Sequence, residues 1–173
     1  VKELAHAYTE DTQVKWNGIL GDMYIEAVDK IRIDNVQIYP DATSGKVRAV
    51  VALANTLDKA EELSLTVDVK GKSDGKKYVS DKKNVTVKPG MSEIEVEYSL
   101  GEDAPLWNEF NPYLYTAKVE VKGKKINSGK TETFGMRHLV NEGNKLMLNG
   151  NPMFLRGTLE CCIFPLTGNP PTD

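Results

Sequence analysis

The chain has 173 residues, with Lys+Arg 22 against Asp+Glu 25 and a formal net charge of -3. That length suits one domain with extensions or two small ones, and it is enough to bury a proper core. Near charge balance gives no electrostatic reason to bind nucleic acid or an anionic membrane, and no apolar run approaches the ~20 residues of a spanning helix.

The chain opens on VKELAHAYTE, which lacks the basic-then-apolar order of a secretory signal. Trp16 and a turn at Gly18 and Gly21 follow, and the alternation from Met23 to Val28 predicts a strand. A lone strand cannot bury itself, so this one is expected to borrow a sheet.

Period two then dominates. The apolar phase of IRIDNVQIYP shifts between Ile33 and Val36, which predicts a bulge at Asp34-Asn35. PDATSG is a turn, and KVRAVVALAN, apolar on both faces in its later half, reads as a central strand. LSLTVDVK places Leu63, Leu65, Val67 and Val69 on one face, and EIEVEY does the same with Ile94, Val96 and Tyr98. GKSDGKK and KPG are polar connections, and YLYTAKVEVKGKK and GKTETFGMR supply further strands. No window carries a helical stripe. About seven strands between residues 31 and 137 predict an all-β, immunoglobulin-like sandwich, although the Cys…Trp…Cys pattern of antibody domains is missing.

Trp107 lies instead in PLWNEFNPYLY, a loop dense in aromatics and prolines. Trp107, Phe110, Tyr113 and Tyr115 are expected to plug one end of the sandwich. A carbohydrate-stacking surface and a contact with a neighbouring domain are the functional rivals. Asn84-Val85-Thr86 matches the glycosylation acceptor pattern but carries little weight without a secretory route.

Asn149-Gly150 in KLMLNGNPMFLRG is a strong hairpin turn signal, with arms at Leu146–Leu148 and Met153–Leu155 that are apolar on consecutive positions. Such a hairpin expects cover on both faces. Cys161 and Cys162 are neighbours that could bridge each other only with strain, and they read as small residues of a buried strand. His6 and His138 stand at no ligand spacing, so no metal site and no cofactor is expected. The two apolar ends are expected to belong to neighbouring domains of a longer protein.

Trp107, Pro112, Leu114-Tyr115, Phe134-Gly135-Met136-Arg137, Leu148-Asn149-Gly150 and Arg156-Gly157, in this order, resemble glycoside hydrolase family 2, the β-galactosidase, β-glucuronidase and β-mannosidase group. WNGILGDMYIEA is similar to that family's last jelly-roll segment. The resemblance implies three parts: residues 1–30 as the end of a jelly-roll domain and linker, 31–137 as the sandwich, and 138–173 as a hairpin and the first segment of a truncated (β/α)₈ barrel.

It also implies that the parent is a retaining glycosidase cleaving β-linked carbohydrate with two glutamates, about 5–5.5 Å apart, on later barrel strands. No catalytic residue is then expected in this chain. Its sandwich is expected to pack on the jelly-roll and barrel domains; where the barrel is absent, the hairpin is expected to fold back on the sandwich, to self-associate with a second copy's edge, or to lose order after about Gly157. Cys161 stands where the β-galactosidase group has a pocket histidine, which leaves the sugar open. Glu160, Cys161 and Arg156 are the candidates for supporting the parent's pocket, Glu160 as an acceptor for a sugar hydroxyl and Arg156 chiefly as a structural partner of a buried carboxylate. Arg137 is expected to pin the sandwich against the barrel. The alternatives are a stand-alone carbohydrate-binding or adhesion module and a structural spacer. The compartment stays open between periplasmic or extracellular and cytoplasmic.

Overall fold

A computed structural model describes residue 19 and residues 21–158. The chain divides into two compact units, residues 27–154 forming one and residues 1–26 with 155–173 the other. In the second unit, the described residues form neither helix nor strand.

In the main unit, seven antiparallel strands run as β1 (Ile31–Asp41), β2 (Lys46–Asn55), β3 (Glu61–Gly71), β4 (Lys77–Val87), β5 (Gly90–Ser99), β6 (Tyr115–Gly123) and β7 (Ile126–Phe134). They divide into a three-stranded sheet, β1-β2-β5, and a four-stranded sheet, β4-β3-β6-β7. This is the immunoglobulin-like sandwich that the alternation predicts, with the fourth strand paired to the third.

Alternation builds the core. Leu63, Leu65, Val67 and Val69 are buried along β3, and Ala117, Val119 and Val121 answer them from β6. Ile31, Val47, Val51 and Leu53 come from the other sheet. Each buried Leu, Ile or Val side chain stabilises by about 1.5–3 kcal/mol against exposure. β2 is the middle strand of its sheet, in keeping with its two apolar faces. The register of β1 on β2 slips between Ile33 and Asn35, which keeps both Ile33 and Val36 buried on either side of the bulge.

A third sheet, β8 (Leu139–Glu142), β9 (Lys145–Leu148) and β10 (Asn151–Met153), has the order β10-β9-β8. β9 and β10 form the predicted hairpin. The turn has φ of 51° at Asn149 and 79° at Gly150, the paired left-handed conformations that favour Asn-Gly in a two-residue loop. Two expectations need correction. The second arm is Asn151–Met153 rather than Met153–Leu155, because a two-residue turn places Asn151 directly opposite Leu148. The alternating segment Met23–Val28 forms no strand and has no sheet partner among the described residues, and Met23, Tyr24, Ile25 and Val28 are exposed.

Candidate functional site

The chemistry-bearing and aromatic side chains gather at the end of the sandwich where the 104–114 loop meets residues 134–138 and the small sheet. Tyr115 opens β6 and is wholly buried. Its hydroxyl donates to the Pro105 carbonyl at 2.9 Å, tying the start of the strand back to the loop before it, as in the tyrosine corner of immunoglobulin-like domains. The ring stacks on Phe134 and meets Tyr78 and Tyr113 edge-on.

The Phe-Gly-Met-Arg motif now acquires a physical reading. Phe134 faces the core, and Met136 is fully buried. A Cβ at Gly135 would lie 3.0 Å from Trp107 Cβ and 3.1 Å from Cγ, so the absent side chain makes the space in which Trp107 rests. The Met136 carbonyl accepts from the Trp107 amide at 2.7 Å, and the Arg137 guanidinium lies 5.2 Å from the Trp107 ring centroid in a cation–π arrangement. One tryptophan thereby joins the loop to the strand exit.

Asn149 adds the small sheet to this joint. Its Nδ2 donates to the Trp107 carbonyl at 2.9 Å, and its Oδ1 accepts from the His138 amide at 2.8 Å. Its own amide donates to the His138 carbonyl at 2.8 Å. Residue pattern identifies Asn149 as a turn former only; nothing local in the sequence signals that its amide reaches residues far upstream.

The loop tip departs from expectation. Tyr115 and, partly, Tyr113 and Trp107 do close the sandwich end, but Phe110 is 91% exposed. Asn108 explains the difference: its Oδ1 accepts from the amides of Phe110 and Asn111, making a tight local turn that carries the Phe110 ring outward. A cleft of about 530 Å³ lies between this tip and the hairpin, lined by Leu106, Asn108, Phe110, Leu148, Asn151 and Met153 among others.

Beside the aromatic cluster, the Tyr113 hydroxyl donates to Asp74 at 2.9 Å and lies 3.1 Å from that of Tyr78. The Lys76 amide, with the Tyr113 hydroxyl also contributing, holds the Asp74 carboxyl below its usual range. Burial, and then the neighbouring Tyr78 hydroxyl and Asp74, raise the Tyr113 phenol. This trio ties the β3–β4 turn to the segment entering β6.

Of the candidate pocket residues, Arg156 is exposed, and Glu160 and Cys161 lie outside the described residues, as does Cys162. Among the described residues, no group of His, Cys, Asp and Glu is arranged to hold a metal.

The sequence profile described as glycosyl hydrolases family 2 matches residues 31–137. The chain belongs to this family. It is 25% identical over 151 residues to a β-galactosidase of Thermoanaerobacterium thermosulfurigenes, a match covering 87% of this chain. A β-galactosidase of Thermoanaerobacter pseudethanolicus is 30% identical over 128 residues, covering 67% of this chain. The chain spans 20% and 17% of the lengths of those two relatives. The fold is shared with a β-glucuronidase of Bacteroides uniformis, at a TM-score of 0.70 and 19% identity over 84% of this chain and 19% of that one. A family 2 structure from Bacteroides cellulosilyticus gives a TM-score of 0.63 at 22% identity, over 75% of this chain and 19% of the other.

Proposed function

We propose that this chain is a non-catalytic, sandwich-centred portion of a retaining glycoside hydrolase that cleaves β-glycosidic bonds, with its catalytic glutamates on a barrel outside these residues. The observation that carries the reading is the family match over residues 31–137, in a chain spanning about a fifth of its β-galactosidase relatives. In this reading residues 1–30 end a jelly-roll domain and 138–173 begin the barrel. The sandwich braces both neighbours.

The apolar surface fits such a bracing role. Phe110, Leu139 and Phe154 are 91%, 53% and 84% exposed. In this reading these three side chains meet the neighbouring domains. Assay of the chain against chromogenic β-galactosides, β-glucuronides and β-mannosides tests the proposal. No turnover is expected, and turnover abolished by substituting a carboxylate within these residues would overturn it.

The exposed Phe110 ring beside the amides of Asn108 and Asn111 favours a second reading, a stand-alone carbohydrate-binding module. That reading requires titratable binding of neutral oligosaccharide, lost in Phe110→Ala. A spacer or bracing role requires no such binding.

A further inference from the structure

Asn149 precedes Gly150, and an Asn-Gly pair carries a reactivity of its own: no side chain on the glycine shields its amide nitrogen from the neighbouring carboxamide. Here the carboxamide is engaged at both ends, Nδ2 with the Trp107 carbonyl at 2.9 Å and Oδ1 with the His138 amide at 2.8 Å. The backbone is also fixed, at φ 51° and 79°, by the hairpin that Leu148 and Asn151 close.

We propose that Asn149 is a spontaneous deamidation site, gated by the same joint that its amide holds shut. The Gly150 nitrogen gives up its proton to solvent base and attacks Asn149 Cγ. The N–Cγ bond forms, the Cγ–Nδ2 bond breaks, and Nδ2 leaves as ammonia after taking a proton from water. One water then opens the cyclic imide at either carbonyl, leaving aspartate or its isopeptide isomer. Nothing is oxidised or reduced, and water is the sole co-reactant. The attack requires the side chain to release both the Trp107 and the His138 main chain, so the joint must open first.

The product does not close again in the same way. A carboxylate has no hydrogen to offer the Trp107 carbonyl, and two acceptors face each other where a donor stood. The modification therefore unlatches the small sheet from the aromatic loop permanently. The charged and titratable groups around this position are Arg137 over Trp107, His138 in the same joint, Glu109 on the cleft rim, and Asp41, whose carboxyl feels His138.

The test uses the full chain in mildly alkaline buffer, native and in urea, with peptide mapping by mass spectrometry. Asn17-Gly18, the chain's other Asn-Gly pair, is the positive control in urea. Deamidation at Asn149 is expected to run roughly tenfold or more slower in the native chain, the effect of two hydrogen bonds that must break first. Equal rates would overturn the gating, and no conversion in urea, with Asn17 converting, would overturn the site.

Asn149→Asp supplies a second readout. Its stability deficit relative to the natural chain is expected at neutral pH. The deficit should narrow on acidification through the new carboxyl's pKa, where the protonated acid again donates to Trp107. A deficit independent of pH would overturn the lost-donor account.

Discussion

At Gly135 the room for a side chain is already taken by Trp107. Gly135→Ala is expected to destabilise the sandwich by about 1–3 kcal/mol, the range for inserting atoms into a filled site, as read from urea unfolding. Two tyrosines provide a sharper contrast. The Tyr115 hydroxyl donates to Pro105, whereas the Tyr98 hydroxyl is buried without a partner among the described residues, and burial raises the Tyr98 phenol above its usual range. Tyr115→Phe should lower stability by about 1 kcal/mol, while Tyr98→Phe should be neutral or slightly stabilising, since it removes an unpaired polar atom from the interior. Equal losses in the two variants would contradict the assigned partners.

At the level of strands, the two sheets leave edges that are guarded by side chains. On one side of the sandwich, Lys130 of β7 donates to the Asp34 carbonyl at 2.5 Å, and the Ile33 amide in the β1 bulge donates to Ser128 Oγ at 3.0 Å. On the other, Lys83 of β4 donates to the Glu95 carbonyl of β5 at 3.2 Å. In each case a lysine from one sheet occupies an edge carbonyl of the other, where an intruding strand would otherwise bond. The double variant Lys83→Ala/Lys130→Ala is expected to self-associate more strongly than the natural chain in concentration-series light scattering. Unchanged mass would remove this role from the lysines. The bulge was legible in the sequence because a phase shift in apolar residues is local. The strand β8 was not, since Leu139–Glu142 is too short and too mixed to show a period, and it is fixed by pairing with β9.

For the whole molecule, acid is the informative perturbation. Ser44 and Thr43 hydrogen bonds lower the Asp41 carboxyl below its reference of 3.8, the Lys76 amide and Tyr113 do so for Asp74, and Lys118 and Lys122 lower Glu120 below 4.5. A carboxyl depressed in the folded state contributes stability that is fully present above its unfolded pKa and is lost as pH falls through the folded one. Thermal melts should therefore be level from neutral pH down to about 4.5 and fall below it. Neutralising Asp74 as Asn should flatten part of that decline. The sandwich could be read from the sequence because alternation and turn residues act over a few positions at a time. The joint could not, because Trp107, Gly135, Arg137 and Asn149 meet only after the strands between them have paired.

The order of pairing also governs how this molecule comes into being. β2 at 46–55 pairs with β5 at 90–99, and β3 at 61–71 with β6 at 115–123. Each union waits for a long stretch of chain to close, a pattern associated with folding in milliseconds to seconds. At a synthesis rate of about 5–20 residues per second, β1 and β2 leave the ribosome seconds before the sheet that shields them exists. During that interval the apolar faces of β1 and β2 lack the second sheet that covers them in the finished fold.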